Sequence, residues 1–387
     1  MRMLVLGAGL QGSACAYDLL AHTDYDVVVA DIDVDNVPEF LQPYVGNRLT
    51  LRKVDANDRA AVRAAMEGVT ATMSAFPYYF NLGMAVAAID AGSHFCDLGG
   101  NTEIVLQQKE LHDRARARGV SLIPDCGLAP GMVNILAQYG VSRLDETQAV
   151  RIKVGGLPQN PEPPLNYQLV YSLEGALDYY TTLSWVLRDG KPTQVKALSE
   201  IEELEFPGAG TLEAFHTAGG LSTMAQSYEG KVPTMEYKTL RYPGHAKIME
   251  AVRDLGLLDL DPVDVKGAKV VPRDVFISIV GPRLRKDYRA SPDMVVLRVE
   301  AEGVKDGEPA RLRWDLLDRF DPKTGITAMM RTTGFSLAIT GAFQAQGMIQ
   351  PGVWTPDEAM PAPAYIDALA ARGVVIHEHR LSPAVLR

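Results

Sequence analysis

The chain has 387 residues, 47% hydrophobic and 22% charged, with 34 glycines and 24 prolines spread along it, so it has room for a sizeable core and two domains. A net charge of −10 without any basic run argues against a nucleic-acid partner.

Residues 3–6, MLVL, form a short apolar run suited to a central parallel strand. Gly7, Gly9 and Gly12 follow in the spacing of a dinucleotide-binding turn: the first for the turn itself, the second for backbone approach to a pyrophosphate, the third for close helix packing. The helix expected over Leu10–His22, opening on Leu10 and Gln11, aims its free N–H groups at the phosphates. A second strand in DVVVADID ends on Asp31, 19 positions after Gly12, where an acid holds the ribose hydroxyls. An acid there, with Asp33 beside it, repels a 2′-phosphate, so the expected cofactor is NAD. The competing reading of the glycines is a structural turn. The opening stretch also resembles a signal peptide, but Gly7, Gly9 and Gln11 interrupt its apolar core, and the expected location is the cytoplasm.

Strand-like and helix-like segments then alternate. LTLRKVDAND is read as a third strand ending near Asp55, and ATMSAFP as a fourth carrying Ser74, Ala75 and Pro77 at its end. SHFCDLGGN, with Asn101, and VSLIPDCGLAPG, with Asp125, are read as a fifth and a sixth. This order predicts a Rossmann-type doubly wound parallel sheet over residues 1–127, with ligands beyond the carboxyl ends of its strands. The uncharged stretch 69–89 approaches the length of a membrane span, but Pro77, Asn81 and Gly83 divide it into strand, loop and helix. Cys15, Cys96 and Cys126 fit reduced thiols, and no metal site is expected.

Beyond residue 128 the texture changes. AVRIKVGGLPQ starts as an alternating strand and leads through a Pro-rich loop into a helix-like run of aromatic and acidic residues. Alternating runs return at EIEELEF, DVFISIVGPRL and MVVLRVEAEG, which predicts a second, mixed α+β domain over 128–330. The apolar stretch 332–349 is expected to pack back on the first domain, which residues 331–387 would complete.

The segments GAGLQGSACAYDLL, SAFPYYFNLGMAVAAIDAGSHFCDLGGN, IPDCGLAPGMVNILA, GGLPQNPEPPLNYQLVYSLEGALDYY and TLRYPGHAKIM together resemble the reductase-type saccharopine dehydrogenase superfamily, and within it the lysine 6-dehydrogenases. The resemblance implies a nicotinamide cofactor, a small amino-acid substrate and a homodimer or homotetramer held through the second domain, with no membrane partner. It also implies oxidation of the carbon bearing the ε-amine of L-lysine, release of ammonia and closure of the aldehyde to a cyclic imine. Such a substrate needs a cation for its carboxylate, an acid for its ammonium and a base for the incoming water. Arg241 is the expected clamp, and His245, in the same RYPGH loop, the expected base; a solvated arginine and a structural histidine are the competing readings. Glu174 and Asp178, four apart on one helical face, are candidate ammonium partners beside Tyr171. Tyr78 and Asp125 complete the catalytic set. Two rival functions remain: a saccharopine- or carboxynorspermidine-type imine reductase, and a non-catalytic NAD-binding sensor.

Overall fold

Val27–Ala30 and Met3–Leu6 are buried on both faces, as apolar runs must be when helices cover a parallel sheet from both sides. In the computed structural model, which describes residues 1–381, strands β1 (Arg2–Leu6), β2 (Asp26–Asp31), β3 (Leu49–Lys53), β4 (Ala71–Ser74), β5 (His94–Asp97) and β6 (Ser121–Ile123) pair in parallel in the order 3-2-1-4-5-6. Helix α1 (Leu10–His22) has the expected bounds. The crossover from β2 to β3 runs through the 3-10 turn Glu39–Tyr44, and helices α2 (Arg59–Met66), α3 (Asn81–Ala91), α4 (Thr102–Lys109) and α5 (His112–Arg118) make those that follow. A short strand, Gly352–Val353, pairs with β6 as the seventh of the sheet.

After α6 (Met132–Ser142) the chain enters a nine-stranded mixed sheet. Its long strand β7 (Glu146–Pro158) lies parallel to Thr234–Arg241 and antiparallel to Asp293–Lys305. One face of this sheet is apolar, with Val150, Ile152, Val295 and Val299 in the core. The other face carries paired charges: Arg298 with Asp315 at 2.7 Å, buried, and the more exposed pairs Arg151 with Glu302 at 2.9 Å and Lys153 with Glu202 at 3.2 Å.

The helix Ala328–Ala345 joins the two halves. It lies on α1 and on the first sheet, where Gln344 Nε2 donates to the carbonyls of Phe95 (3.0 Å) and Ser121 (2.9 Å). Two expectations are corrected. The run DVFISIVGPRL is helical, within Pro272–Leu284: Pro272 suits a first helical turn, and Phe276, Ile277, Val280 and Leu284 pack on a cluster containing Leu177 and Tyr180. The segment 331–387 does not belong wholly to the first domain, because Ile376–Leu381 pairs with Glu308–Arg319 in the second sheet. Residues 382–387 of that segment lie outside the described residues.

Candidate active site

The β1–α1 turn is shaped by its glycines. Gly7 has φ 104°, a conformation that disfavours side chains, and its N–H donates to Ala30 O at 2.8 Å. A methyl at Gly12 would overlap the carbonyl oxygen of Gly7, whereas one at Gly9 would meet nothing within 4 Å. Gly9 therefore opens α1 toward free space, with no side-chain cap and no acid in the first turn to occupy the free N–H groups. Asp31 Oδ2 accepts from Ala8 N–H at 2.6 Å and Oδ1 from Asp33 N–H at 3.1 Å, which fixes the carboxylate beside the turn. Both polar atoms of the Gln11 amide are buried without a partner. Leu10 is exposed on α1, and Ala75 lies beneath Gly7 and Gly12. An open glycine, free helix N–H groups, a fixed carboxylate and an unpartnered amide fit a dinucleotide.

The other expected cofactor residues are more dispersed. Ser74 ends β4 and donates to Asn81 Oδ1 at 3.1 Å, and Pro77 leads into the turn that carries Tyr78. Asp55 is exposed and accepts from Asn57 N–H at 2.8 Å in a local turn. Asn101 caps α4, accepting from Glu103 and Ile104 N–H at 3.0 and 3.2 Å. The carbonyl groups of Asp55 and Asn101 are thus already engaged in local structure.

Two buried carboxyls stand at the carboxyl ends of β5 and β6. Asp97 Oδ1 accepts from Gly99 N–H at 2.7 Å and its Oδ2 from Gln108 Nε2 at 2.8 Å, yet burial pushes its carboxyl up to about 6. Asp125 is 2% exposed and left-handed, with φ 62°, uncommon for a residue with a side chain and a mark of functional sites. Its Oδ1 accepts from Gly100 N–H at 3.3 Å and its Oδ2 from the Ser222 hydroxyl. Burial raises this carboxyl to about 7, opposed by the Ser222 hydrogen bond and reinforced by the negative charge of Asp97. Tyr78 and Tyr179 lie against Gly100, and Gly219 packs on the Tyr179 ring. Asp125 lies in the first domain's sixth strand-to-helix turn and Ser222 in the second domain, so this hydrogen bond crosses from one to the other.

The second domain also buries Arg241, which is 3% exposed. Its guanidinium stacks on the Tyr167 ring at 4.7 Å, and Nη1 donates to Leu240 O at 2.8 Å. Arg241 Nε and the Tyr167 hydroxyl are both buried without partners. Burial works to lower the guanidinium pKa, but the phenols of Tyr180, Tyr167 and Tyr171 outweigh it and raise it. Glu213, opposite Arg241 in the ladder, turns away to accept from Gly244 N–H (2.9 Å) and Ala246 N–H (2.6 Å). Among the described residues three arginines are buried; Arg273 pairs with Asp178 and Arg298 with Asp315, while Arg241 has no carboxylate within 4.0 Å.

Three expectations are corrected here. His245 is not an available base: burial, then the charge of Arg241, lower it to about 3, and both ring nitrogens are engaged. Nδ1 faces Leu165 O at 3.0 Å, which makes it the donor, so Nε2 accepts from Tyr180 OH at 3.0 Å. Asp178 is not free for an ammonium, since Arg273 Nη1 holds it at 2.5 Å. Glu174 is exposed on helix α7 (Leu173–Thr181), outside this buried cluster. The phenol of Tyr171 is near enough to Arg241 to act on its charge. The sequence does not single out Asp97, Ser222 or Tyr167, although Asp97 ends an apolar run before Gly99-Gly100 and Ser222 lies just after Gly219-Gly220; Tyr179 and Tyr180 fall in the tyrosine- and acid-rich run 171–180.

Elsewhere, Glu200, His216 and Glu236 bring potential metal ligands within 4.8 Å of one another. Arg188 lies among them and binds both carboxylates, at 2.9 and 2.8 Å, so a guanidinium already fills the cation position. No described helix is long and apolar enough to cross a membrane.

Comparison with known proteins fits this two-part construction. The saccharopine dehydrogenase NADP binding domain matches residues 3–123, and the saccharopine dehydrogenase C-terminal domain matches residues 127–374. The chain belongs to the saccharopine dehydrogenase family. Its first domain is the family's nicotinamide-nucleotide domain. The saccharopine dehydrogenase (NADP(+), L-glutamate-forming) of Schizosaccharomyces pombe is 23% identical over 269 residues, 66% of this chain and 58% of that one. The Saccharomyces cerevisiae enzyme of the same name is 23% identical over 305 residues, 75% and 66% respectively. The mitochondrial alpha-aminoadipic semialdehyde synthase of Mus musculus is 23% identical over 269 residues, 67% of this chain and 28% of that one. This chain thus aligns with less than two thirds of the length of either yeast relative. The apo saccharopine dehydrogenase (L-Glu forming) structure from S. cerevisiae superposes with a TM-score of 0.80 at 20% identity, covering 98% of this chain and all of that one, which establishes the fold.

Proposed function

We propose that this saccharopine dehydrogenase family member is an NAD-dependent oxidoreductase that removes the ε-amine of L-lysine. The observation that carries the reading is Arg241: a buried guanidinium with an unpartnered Nε, ringed by phenols and lacking a carboxylate. A buried charge of this kind is costly unless paired, and a substrate carboxylate is the missing partner. Among the described residues Arg241 is the one buried arginine without a carboxylate partner, which fits a substrate with one carboxylate.

In the proposed reaction lysine is oxidised at its ε-carbon and one water is consumed. Ammonia and a proton leave, and the aldehyde then condenses with the α-amine to a cyclic imine, releasing the same number of waters as the oxidation consumed. When bound, the nicotinamide supplies the hydride acceptor. Arg241 holds the α-carboxylate, with Tyr167 beneath the guanidinium and Tyr171 beside it. Asp125, poised near neutrality, exchanges protons with the reacting amine or water from the carboxyl end of β6. Support for NAD over NADP lies in Asp31 and Asp33, whose carboxylates repel a 2′-phosphate.

The family match itself favours a second reading, oxidation of saccharopine with NADP. That substrate carries three carboxylates, and the extra two would need further unpaired cations, whereas the other buried arginines among the described residues, Arg273 and Arg298, are already paired. The deciding measurement is reduction of NAD and NADP with lysine, saccharopine, ornithine and 1,5-diaminopentane. The lysine reading expects turnover with lysine and NAD, and little with the diamine, which has no carboxylate. Turnover with saccharopine and NADP alone would establish the second reading.

A further inference from the structure

The loop between Gly219 and Thr223 is held with unusual care for an irregular segment. Gly219 has φ 88° and Ser222 φ 52°, both left-handed, and Gly220 packs so tightly on the Tyr237 ring that a methyl there would overlap it. Asn134, on α6, donates through Nδ2 to the carbonyls of Gly220 and Leu221, both at 3.2 Å. Its Oδ1 accepts from Gly131 N–H at 2.6 Å, in the turn that follows Asp125. One buried amide therefore ties the Asp125 turn to the Ser222 loop. The result is the hydrogen bond from the Ser222 hydroxyl to Asp125 Oδ2, across the domain boundary.

We propose that Ser222 is a positioning residue for Asp125: the second domain delivers a hydroxyl that fixes one carboxyl oxygen and sets when that carboxyl gives up its proton. This rests on the assignment of Asp125 to proton transfer. The left-handed backbone at both residues aims the two side chains at each other, and left-handed Ser is uncommon enough to mark a constrained position. Other groups bearing on Asp125 cannot replace this bond. Asp97, on β5, and Asp357, on the short helix Pro356–Ala359, are acids that disfavour its charge. Tyr179, on α7, has its phenol pushed up by burial first, then by the neighbouring phenol of Tyr237 and the charge of Asp125. No cation is within 4.0 Å of Asp125 among the described residues. Gly100 N–H occupies the other oxygen. Among the described residues Ser222 is therefore the one side chain that donates to this carboxyl. Because it stabilises the charged form, its loss must raise the pH at which Asp125 ionises.

The test is a direct titration of the carboxyl in the full-length protein, independent of any substrate. Infrared difference spectra across pH are recorded for wild type, Asp125→Asn and Ser222→Ala, and the protonated-carboxyl band lost in Asp125→Asn identifies Asp125. The expected result is a midpoint about one to two pH units higher in Ser222→Ala, the worth of a hydrogen bond to a charged group. Thermal unfolding of Ser222→Ala should stay cooperative, and NADH titration should give an unchanged Kd. Where lysine is turned over, the pH profile of kcat should move alkaline in step with the infrared midpoint, with KM changed less than kcat. An Asp125 midpoint equal in wild type and Ser222→Ala overturns the proposal. Absence of turnover with lysine in wild type instead overturns the lysine reading and leaves the titration to judge Ser222.

Discussion

At the β1–α1 turn the functional surface is mostly backbone: one open glycine, free N–H groups and one carboxylate fixed by the N–H groups of Ala8 and Asp33. At the Arg241 end it is side chain: a guanidinium from one strand, phenols from a loop and a helix, and a histidine from another helix. A backbone site is built from a few consecutive residues and tolerates almost any neighbour outside them. A side-chain site is assembled from Tyr167, Tyr180, Arg241 and His245, each placed by a different element. The first end suits a ligand portion common to many enzymes, and the second is where one substrate is told from another.

Substitutions at each end should separate these roles. The largest effect is expected at Arg241. Arg241→Ala should lower kcat/KM for lysine by a factor of tens to thousands, about 2–5 kcal/mol for a buried charge pair losing one partner, with NADH binding unchanged. Arg241→Lys should recover only part of the loss, because an ammonium cannot fork onto a carboxylate. Equal kinetics in wild type and Arg241→Ala would erase the contrast. Next, Asp31→Ala should weaken NADH by roughly tenfold or more while narrowing the gap to NADPH, a ratio read by fluorescence titration of both nucleotides. A wild-type protein that binds NADPH as tightly as NADH would overturn the like-charge argument.

Two glycines of one turn sharpen the backbone side. Gly12→Ala overlaps Gly7 O and must displace α1, with an expected cost of about 1–3 kcal/mol in stability. Gly9→Ala meets only open space, so its melting temperature should match wild type while nucleotide affinity falls. Paired melting curves and NADH titrations check both.

The smallest effect concerns His245. Its imidazole is held neutral down to about 3 in the fold but takes a proton near pH 6.5 in the unfolded chain. Stability from this group is therefore present above pH 6.5 and lost as pH falls toward 3. Asp97 and Asp125 act oppositely: protonated up to about 6 and 7, they cost stability as pH rises from about 4 through those values. His245→Gln should thus melt below wild type at pH 7, with the gap narrowing toward pH 4. A gap that stays constant would mean that the imidazole is not held neutral.

The same contrast explains what the sequence disclosed. Gly7, Gly9, Gly12 and Asp31 lie within one strand-turn-helix-strand unit, so spacing alone located them, and α1 has the bounds its pattern implies. Arg241 was legible as a residue, but its surroundings were not, because Tyr167 lies far off in sequence and Glu213 is diverted to helix N–H groups. His245 misled because a loop beside Pro and Gly gives no sign of burial. Asp178 misled because its partner Arg273 is 95 positions away. The run DVFISIV alternates well enough for a strand, and only packing against Leu177 and Tyr180 decides that it is helical.

The route of the chain has a consequence for biosynthesis. The first sheet gains its last strand only at Gly352–Val353 and its covering helix only at Ala328–Ala345, after nearly all of the second sheet has been made. The second sheet then receives Ile376–Leu381. An emerging chain released from the ribosome at residue 327 would carry six parallel strands with the surface seen by Gln344 bare, so neither half should mature before the other and a chaperone should hold the nascent first half longer than its size suggests.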